Sequence, residues 1–303
     1  MKRTYGLFII IFLLMTRTAA AQETVRFVFN PPDGISYRET YSAQRTKEFG
    51  SLKKQVDQTE GTVKVVIKKT EQGYSLKAVP LLITMTRDGQ PVPDSITQPM
   101  FDMKYDLHLD PDGHFVYVNG FEEFVEKMKA GLPANTPAEI LKSISVEAMV
   151  NKEKAEYNGR VGDFIGREIT VGETWLSESQ FTLPDGNTIE FTAIFILRDM
   201  VPCGQTRCAR IEFQYDANPA GLTKFMDGMY GGIKEMADGA LDAVDLGDVK
   251  LSGSGVRLID PQTMLIYSEE MNRLFETPMT LANGAKIPVT MTEVKQYGYK
   301  YDQ

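Results

Sequence analysis

The sequence predicts an α+β protein in which a curled, mostly antiparallel β-sheet, an incomplete barrel, carries a few helices over its concave face. Segments rich in β-branched and aromatic residues alternate with turn signals along most of the chain. These segments amount to roughly eleven or twelve strands, and their hairpin order favours antiparallel pairing. Helical patterns are fewer and carry clear capping signals.

The first 21 residues predict a secretory signal peptide. A positive start, an apolar run of about ten residues and a small-residue cleavage site follow in the order that such peptides require. The run is too short to cross a bilayer as a helix, which needs about 20 residues. The alternative is an uncleaved membrane anchor. The three parts are Lys2-Arg3, Gly6–Met15 and Ala19-Ala20-Ala21.

Cleavage before Gln22 leaves residues 22–303, which we expect to be periplasmic or secreted. No cysteine lies near the cleavage site to carry a lipid anchor. The formal net charge of the chain is −8 and becomes −11 without the signal peptide, which holds three basic residues and no acid. An acidic surface disfavours nucleic acid as a partner. We expect no stable membrane span after cleavage.

Four hairpins are predicted from strand–turn–strand patterns. In the second, Pro and Gly occupy turn positions that suit their backbone preferences. The last strands follow in "VRLIDPQTMLIYSEEMNRLFE" and "KIPVTMTEVKQYGYKY", and Gly253-Ser254-Gly255 predicts a turn before a strand. The hairpin turns are Glu71-Gln72-Gly73, Asp110–Gly113, Pro184–Asn187 and the stretch between Cys203 and Cys208.

Residues 22–303 predict a single β-rich domain that contains two related halves, about 25–155 and 160–303. The stretch "LDPDGHFVYV" resembles "IDPQTMLIYS", with Asp-Pro in a turn and a Tyr late in the next strand. The alternative is chance similarity between two Asp-Pro hairpins.

Three helices are predicted. Asn119 is the expected N-cap of the first, which Gly131 ends. Thr136 is the expected N-cap of the second, which continues to Val150 and has Pro at its first position. The third covers Leu222–Val244, where apolar residues recur at helical spacing.

We predict that the third helix forms a movable lid over an apolar cavity. Met is flexible and suits surfaces that accept varied apolar partners, and a curled sheet can enclose a groove for an acyl chain. The alternative is that its apolar stripe only packs as core. The residues expected to line the cavity are Phe225, Met229, Tyr230, Ile233 and Met236.

Cys203 and Cys208 are the two cysteines of the chain and are expected to form a disulfide. Cysteine pairs in exported proteins usually form disulfides, because the compartments that receive these proteins are oxidising. A zinc site would need further ligands. A four-residue loop, Gly204 to Arg207, would place the cysteines opposite each other on paired strands. The bridge would then clamp one hairpin, with no part in ligand binding.

No catalytic motif stands out, so we expect a protein that is not an enzyme and needs no metal or cofactor. His108 and His114 flank one turn, where zinc would need about four ligands and the ordinary interpretation is polar residues beside a turn. Phosphate loops and a Gly-x-Ser-x-Gly elbow are absent from the sequence.

These features together resemble the periplasmic lipoprotein-carrier-like (LolA-like) half-barrel class, or an exported bacterial family of similar shape. The resemblance covers residues 28–300 and rests on predicted export, long antiparallel strands, few helices and the two Asp-Pro turns. The segment "VGETWLSESQFTLPDGNTIEFTAIFIL" adds to it. It implies a partner that is a hydrophobic ligand, such as a lipid or acyl chain. The alternative is a cell-envelope protein-interaction or assembly module without a small-molecule ligand.

Overall fold

The computed structural model describes residues 23–51, 53–132, 136, 141–142, 144–182, 188–223, 245–280 and 284–302. Fifteen strands lie in this part of the chain. They are β1 (Thr24–Arg26), β2 (Ser36–Phe49), β3 (Lys53–Thr70), β4 (Gly73–Arg87), β5 (Gln90–Pro91), β6 (Tyr105–Leu109), β7 (Phe115–Asn119), β8 (Glu168–Thr170), β9 (Thr174–Thr182), β10 (Thr188–Cys203), β11 (Thr206–Ala217), β12 (Asp245–Leu246), β13 (Lys250–Ile259), β14 (Ile266–Thr280) and β15 (Lys286–Tyr301).

Three helices are complete within the same ranges. Over the described residues, no helix has the length and apolar character needed to cross a membrane. The helices are α1 (Asp94–Asp102), α2 (Glu122–Ala130) and α3 (Val146–Arg160), and a single 3-10 turn (Gly162–Phe164) follows α3.

Thirteen of the described strands form one antiparallel sheet, which confirms the predicted fold class. Eleven of them follow a continuous path in the order β7-β6-β4-β3-β2-β15-β14-β13-β11-β10-β9. The short strands β5 and β12 pair with β4 and β14, and β1 pairs with β8 as a separate two-stranded sheet. Neighbouring strands of the path follow one another along the chain, apart from the intervening short strands β5 and β12 and apart from β15, which pairs with β2.

The sheet is curled and open, and helix α3 lies against its concave face. Strands β7 and β9 are the two ends of the path, yet α3 contacts both of them. Such contacts require the sheet to bend around the helix, because two edges separated by nine strands of a flat sheet would lie far apart. The helix therefore occupies the inside of the curve.

One side of the concave face is filled by aromatic side chains. Phe164, in the turn after α3, is fully buried and meets the rings of Trp175 and Phe195 edge-on, at centroid distances of 5.7 and 5.2 Å. Phe213 on β11 packs beside Phe195 at 5.9 Å. Aromatic groups bury large apolar areas and favour such tilted contacts. The core is therefore dense near strands β9 to β11.

The two Asp-Pro turns share their local hydrogen bonds. Asp110 Oδ1 accepts the backbone N–H of Asp112 at 3.0 Å, and Asp260 Oδ1 accepts that of Gln262 at 3.0 Å. An Asp side chain that binds the backbone two residues ahead stabilises a turn locally. Because this geometry follows from the local sequence alone, the duplication of whole halves stays a prediction.

The Gly253-Ser254-Gly255 stretch lies inside strand β13, so the predicted turn there is wrong. Gly253 and Gly255 are the cross-strand partners of Tyr215 and Phe213. A Cβ atom on either glycine would collide with the facing aromatic ring. These glycines therefore accommodate rings that lie flat across the strand, an arrangement that supports a strongly curved sheet.

Helix boundaries differ from the prediction in two places. Helix α2 begins after Phe121 and not at Asn119, which ends β7, and the Glu122 carboxylate accepts the N–H of Gly120 at 3.2 Å. The predicted end of the second helix at Val150 is wrong. Ser145 caps Ala148 N–H at 3.1 Å and starts α3, which continues to Arg160.

Helix α1 was not predicted, because Pro99 interrupts its pattern.

The Cys203–Cys208 disulfide is present, with 5.7 Å between the Cα atoms. The predicted four-residue loop with opposed cysteines is wrong, because Gly204 and Gln205 alone form the turn and Cys203 pairs with Thr206. The φ of Gly204 is 62°, a value that glycine adopts readily in two-residue hairpin turns. Cys208 is therefore placed diagonally from Cys203 across the hairpin.

Replacing both cysteines with alanine is expected to lower the free energy of unfolding by about 2 kcal/mol, because the closed loop is short. Urea denaturation of the oxidised wild type and the double variant measures the difference. A loss above about 4 kcal/mol, the value for far longer loops, would show that the bridge does more than clamp one hairpin.

Candidate functional site

A cavity of about 390 Å³ lies between helix α3 and the concave face of strands β2, β3, β4, β6 and β15. The cavity therefore lies on a different part of the concave face from the dense aromatic packing near β9 to β11. Most of its sheet-side lining is aliphatic. These aliphatic residues include Val63, Val65, Ile67, Leu76, Ala78 and Leu107.

The apolar lining follows from strand alternation, since every second residue of a strand faces the same side. Val63, Val65 and Ile67 point inward from β3, opposite inward residues of β4. A bulge in β4 interrupts its alternation, so Leu81 and Leu82 are both exposed while Ile83 returns to the lining.

Tyr41 adds an aromatic surface to the cavity. Its cross-strand partner is Gly61, and a Cβ atom at Gly61 would collide with the tyrosine ring. The ring therefore lies flat against the backbone of β3, where it lines the cavity and does not project into it. A larger residue at position 61 would displace the ring.

Charged groups from β2, β15 and α3 form another part of the cavity lining. Arg160, in the last turn of α3, donates to Glu269 Oε2 at 2.8 Å and lies 3.6 Å from Glu39 Oε2. Its guanidinium lies over the ring of Tyr297 at 4.8 Å and hydrogen-bonds to the Tyr299 hydroxyl. Such a bond network with a ring beneath it satisfies a partly buried Arg.

Arg257 joins the end of α3 to the sheet. It donates to the carbonyl oxygens of Gly159 and Arg160 at 3.0 and 2.7 Å, and to Glu269 Oε1 at 2.5 Å. Cations stabilise the carbonyl end of a helix through its dipole. We call Arg160, Arg257 and Glu269 the helix anchor.

The helix anchor holds a buried carboxylate in its charged form. Glu269 is 5% exposed and Arg257 is 3% exposed. Burial alone would raise the pKa of Glu269, but Arg257 and Arg160 outweigh it and lower the pKa to about 2. The carboxylate is therefore ionised at neutral pH, and it fixes the position of α3 above the cavity.

Glu153 faces the cavity about two turns of α3 before Arg160. Burial, followed by the neighbouring charge of Glu156, raises the pKa of Glu153 to about 7. The charges of Lys152 and Arg160 and a hydrogen bond with Tyr105 only partly offset this. Among the described residues, no cation forms an ion pair with Glu153 within 4.0 Å. The cavity wall thus contains one carboxyl group that titrates near neutral pH.

At pH 8 the Glu153→Gln variant is expected to have a free energy of unfolding higher than that of the wild type by on the order of 1–3 kcal/mol. A raised carboxyl pKa adds stability below the unfolded pKa near 4.5, and this contribution is lost as the pH rises through 7. Urea unfolding from pH 4 to pH 8 measures the effect. Glu60→Gln, an exposed change on β3, is the control. A gain that does not vary with pH would contradict the assignment.

The predicted cavity-lining residues Phe225, Met229, Tyr230, Ile233 and Met236 lie outside the described residues, so their role stays a prediction. Of the predicted third helix, Leu222–Val244, only Leu222 and Thr223 are described, and both are helical. The part of α3 after Val150, with its charged groups, was not predicted from the sequence.

One signal could have indicated the charged wall. In "YRETY", Glu39 lies on the same face as Tyr37 and Tyr41, which predicts a carboxylate in an aromatic, inward-facing row.

The two histidines have separate environments. The ring of His108 stacks on Tyr117, with 4.2 Å between centroids, and His114 donates its backbone N–H to Asp110 Oδ1 at 2.8 Å. Among the described residues, no group of three or more His, Cys, Asp or Glu is arranged to hold a metal.

No protein-family model matches the chain, and no curated protein matches it. Among solved structures, the chain is similar to lipovitellin, described by its lipid–protein interactions, with a TM-score of 0.47 and 9% identity over 89% of this chain. This chain spans only 26% of the lipovitellin chain.

Two bacterial proteins are also similar. One, from Bacteroides fragilis, is described as exported with a YmcC-like fold, with a TM-score of 0.26, 8% identity and coverage of 92% of this chain and 100% of that one. The other, from Parabacteroides distasonis, is described as a lipoprotein, with a TM-score of 0.26, 10% identity and coverage of 88% and 97%. The TM-scores are low, so these likenesses assign neither a family nor a ligand. None of the three is a LolA-like carrier, and that resemblance stays a prediction.

Proposed function

We propose that this protein is an exported, non-enzymatic binding protein that holds a lipid or acyl chain in the cavity between α3 and the sheet. The observation that supports this most strongly is the 390 Å³ cavity with an aliphatic lining. Its volume falls within the range of about 300–1,000 Å³ that small-molecule sites occupy. Burying apolar ligand surface there would contribute about 25 cal/mol per Å² removed from water.

The arrangement of polar groups also favours an amphipathic ligand. Most of the aliphatic residues come from β3, β4 and β6, whereas the charged lining residues come from β2, β15 and α3. A ligand with an apolar chain and a polar end matches both surfaces, because a wholly apolar ligand would dehydrate the charged lining without supplying hydrogen bonds in place of water. The predicted lid over residues 222–244 would add apolar contacts above.

Two measurements test the proposal. Native mass spectrometry of gently purified protein is expected to show an adduct with the mass of a lipid, and a fluorescent fatty acid is expected to bind delipidated protein saturably at one site. Absence of both would overturn the proposal. The alternative, a cell-envelope interaction module, would then be tested by crosslinking in envelope extract, where it predicts one protein partner.

A further inference from the structure

Three cations surround one buried carboxylate on the concave face of the sheet, beside the cavity. Arg45 Nη2 lies 2.6 Å from Glu293 Oε1, and Arg273 Nη1 and Lys295 Nζ each lie 3.5 Å from Glu293 Oε2. We call Arg45, Arg273 and Lys295 the cation cluster.

Strand register brings the cluster together. Glu293 on β15 is the cross-strand partner of both Arg45 on β2 and Arg273 on β14. Lys295 is two residues further along β15 and therefore faces the same side. The sheet thus fixes all four groups on its concave face, and Lys295 also lines the apolar cavity.

The cluster carries more positive charge than Glu293 can neutralise. The Glu293 side chain is 2% exposed, whereas those of Arg273 and Lys295 are 34% and 25% exposed. Glu293 Oε2 accepts no hydrogen bond among the described residues, although both cations lie nearby. An arginine has five N–H donors and a lysine three, more than the contacts with Glu293 use, so both cations keep donors for another acceptor.

Other charges near the cluster leave this excess in place. Glu156 on α3 faces Lys295, but it also lies within 4.0 Å of Lys152 and Arg160. Arg273 Nε donates to the Tyr215 hydroxyl at 3.0 Å, which orients the guanidinium without neutralising it. Burial lowers the pKa of Lys295 despite the charge of Glu293, as expected for a cation with incomplete compensation.

We propose that the cation cluster binds the anionic head group, a carboxylate or phosphate, of an amphipathic ligand whose chain occupies the apolar cavity. Guanidinium and ammonium groups form strong charge-assisted hydrogen bonds with these anions. Lys295 touches both regions and would bind at the junction of head and chain. This inference rests on the proposed function and names the chemical class of its ligand.

The experiment compares ligands of one chain length with different head groups. Dodecanoate, dodecyl phosphate and dodecanol are titrated by calorimetry into delipidated wild type, Lys295→Met and Arg273→Met. Lys300→Met is the control, since Lys300 is on the same strand and exposed on the opposite face. Dissociation constants of the anionic ligands are expected to rise about tenfold in the first two variants, the effect of losing a hydrogen bond to a charged group.

The dodecanol affinity is expected to stay unchanged in all variants. Two results would overturn the inference and leave the proposed function intact. One is that the wild type binds all three ligands with equal affinity. The other is that Lys295→Met weakens the binding of all three ligands equally. If none of the ligands binds, the proposed function fails and the inference fails with it. A separate titration uses inorganic phosphate. Phosphate binding as tight as that of dodecyl phosphate would contradict a lipid head group, and much weaker binding supports it.

Discussion

The Glu269→Gln variant is expected to lose about 3–5 kcal/mol of unfolding free energy, the usual cost of removing one partner from a buried ion pair. The change would leave Arg257, which is 3% exposed, and Arg160 without their shared carboxylate. Because Arg257 also binds the last carbonyl groups of α3, the change would weaken the attachment of the helix to the sheet. Urea unfolding at pH 7 measures the loss.

The same carboxylate predicts acid sensitivity. The pKa of Glu269 is lowered in the folded protein from 4.5 to about 2, so its stabilisation is complete above pH 4.5 and is lost as the pH falls towards 2. The contribution at neutral pH is about 3 kcal/mol, from about 1.4 kcal/mol for each unit. Glu270→Gln, the next residue on β14 and exposed, is the control. If the two variants unfold within about 0.5 kcal/mol of each other, a typical surface effect, the helix anchor does not stabilise α3.

The Ala78→Phe variant is expected to lose saturable binding of a fluorescent fatty acid. Ala78 is 3% exposed and lines the cavity beside its cross-strand partner Val65. A phenyl ring at this position would extend into the space proposed for the chain. Overpacking should also cost about 1–3 kcal/mol of stability, so near-ultraviolet circular dichroism must first show a folded protein.

Leu82→Phe is the matched control for the cavity test. Leu82 lies on the same strand, four residues further on, and is 52% exposed outside the cavity. It is expected to bind the fatty acid like the wild type. Unchanged binding by a folded Ala78→Phe variant would show that the ligand lies elsewhere.

The turns at Glu71–Gly73 and Asp110–Gly113 were predictable because their signals are local, whereas the turn predicted at Pro184–Asn187 lies outside the described residues. The Asp110 side chain binds two N–H groups of its own turn, at Asp112 and His114, so a short stretch of sequence determines that geometry. The disulfide was predictable from the expected export of the chain and the spacing of its two cysteines. The register of the hairpin was not predictable, because a two-residue turn at Gly204-Gln205 and a longer loop are both compatible with the same sequence.

The sequence predicts a cavity only because it predicts a curled sheet, which can enclose one. The position of the cavity was not predictable. Gly253 and Gly255 resemble a turn locally, yet they lie within β13 because aromatic rings from another strand cover them. Helix α3 lacks a clean apolar stripe, since its cavity side carries Glu153 and Arg160. Its role depends on contacts with residues more than 100 positions away, such as Glu269.

The predicted lid is a separate question from the described cavity. The apolar stripe of Leu222–Val244 has helical spacing, whereas the aliphatic lining described here comes from β3, β4 and β6. Both can contribute to one site, or the stripe can be core. Sequence periodicity alone does not separate these cases.

Photocrosslinking with a diazirine fatty acid, followed by mass-spectrometric mapping of the labelled peptides, tests the central claim most directly. We predict labelling of strands β3 and β4 and of helix α3, and its loss when unlabelled fatty acid competes. Labelling confined to residues 222–244 would contradict a site between α3 and the sheet. So would labelling of exposed residues such as Leu176 and Ile194 that competition does not reduce.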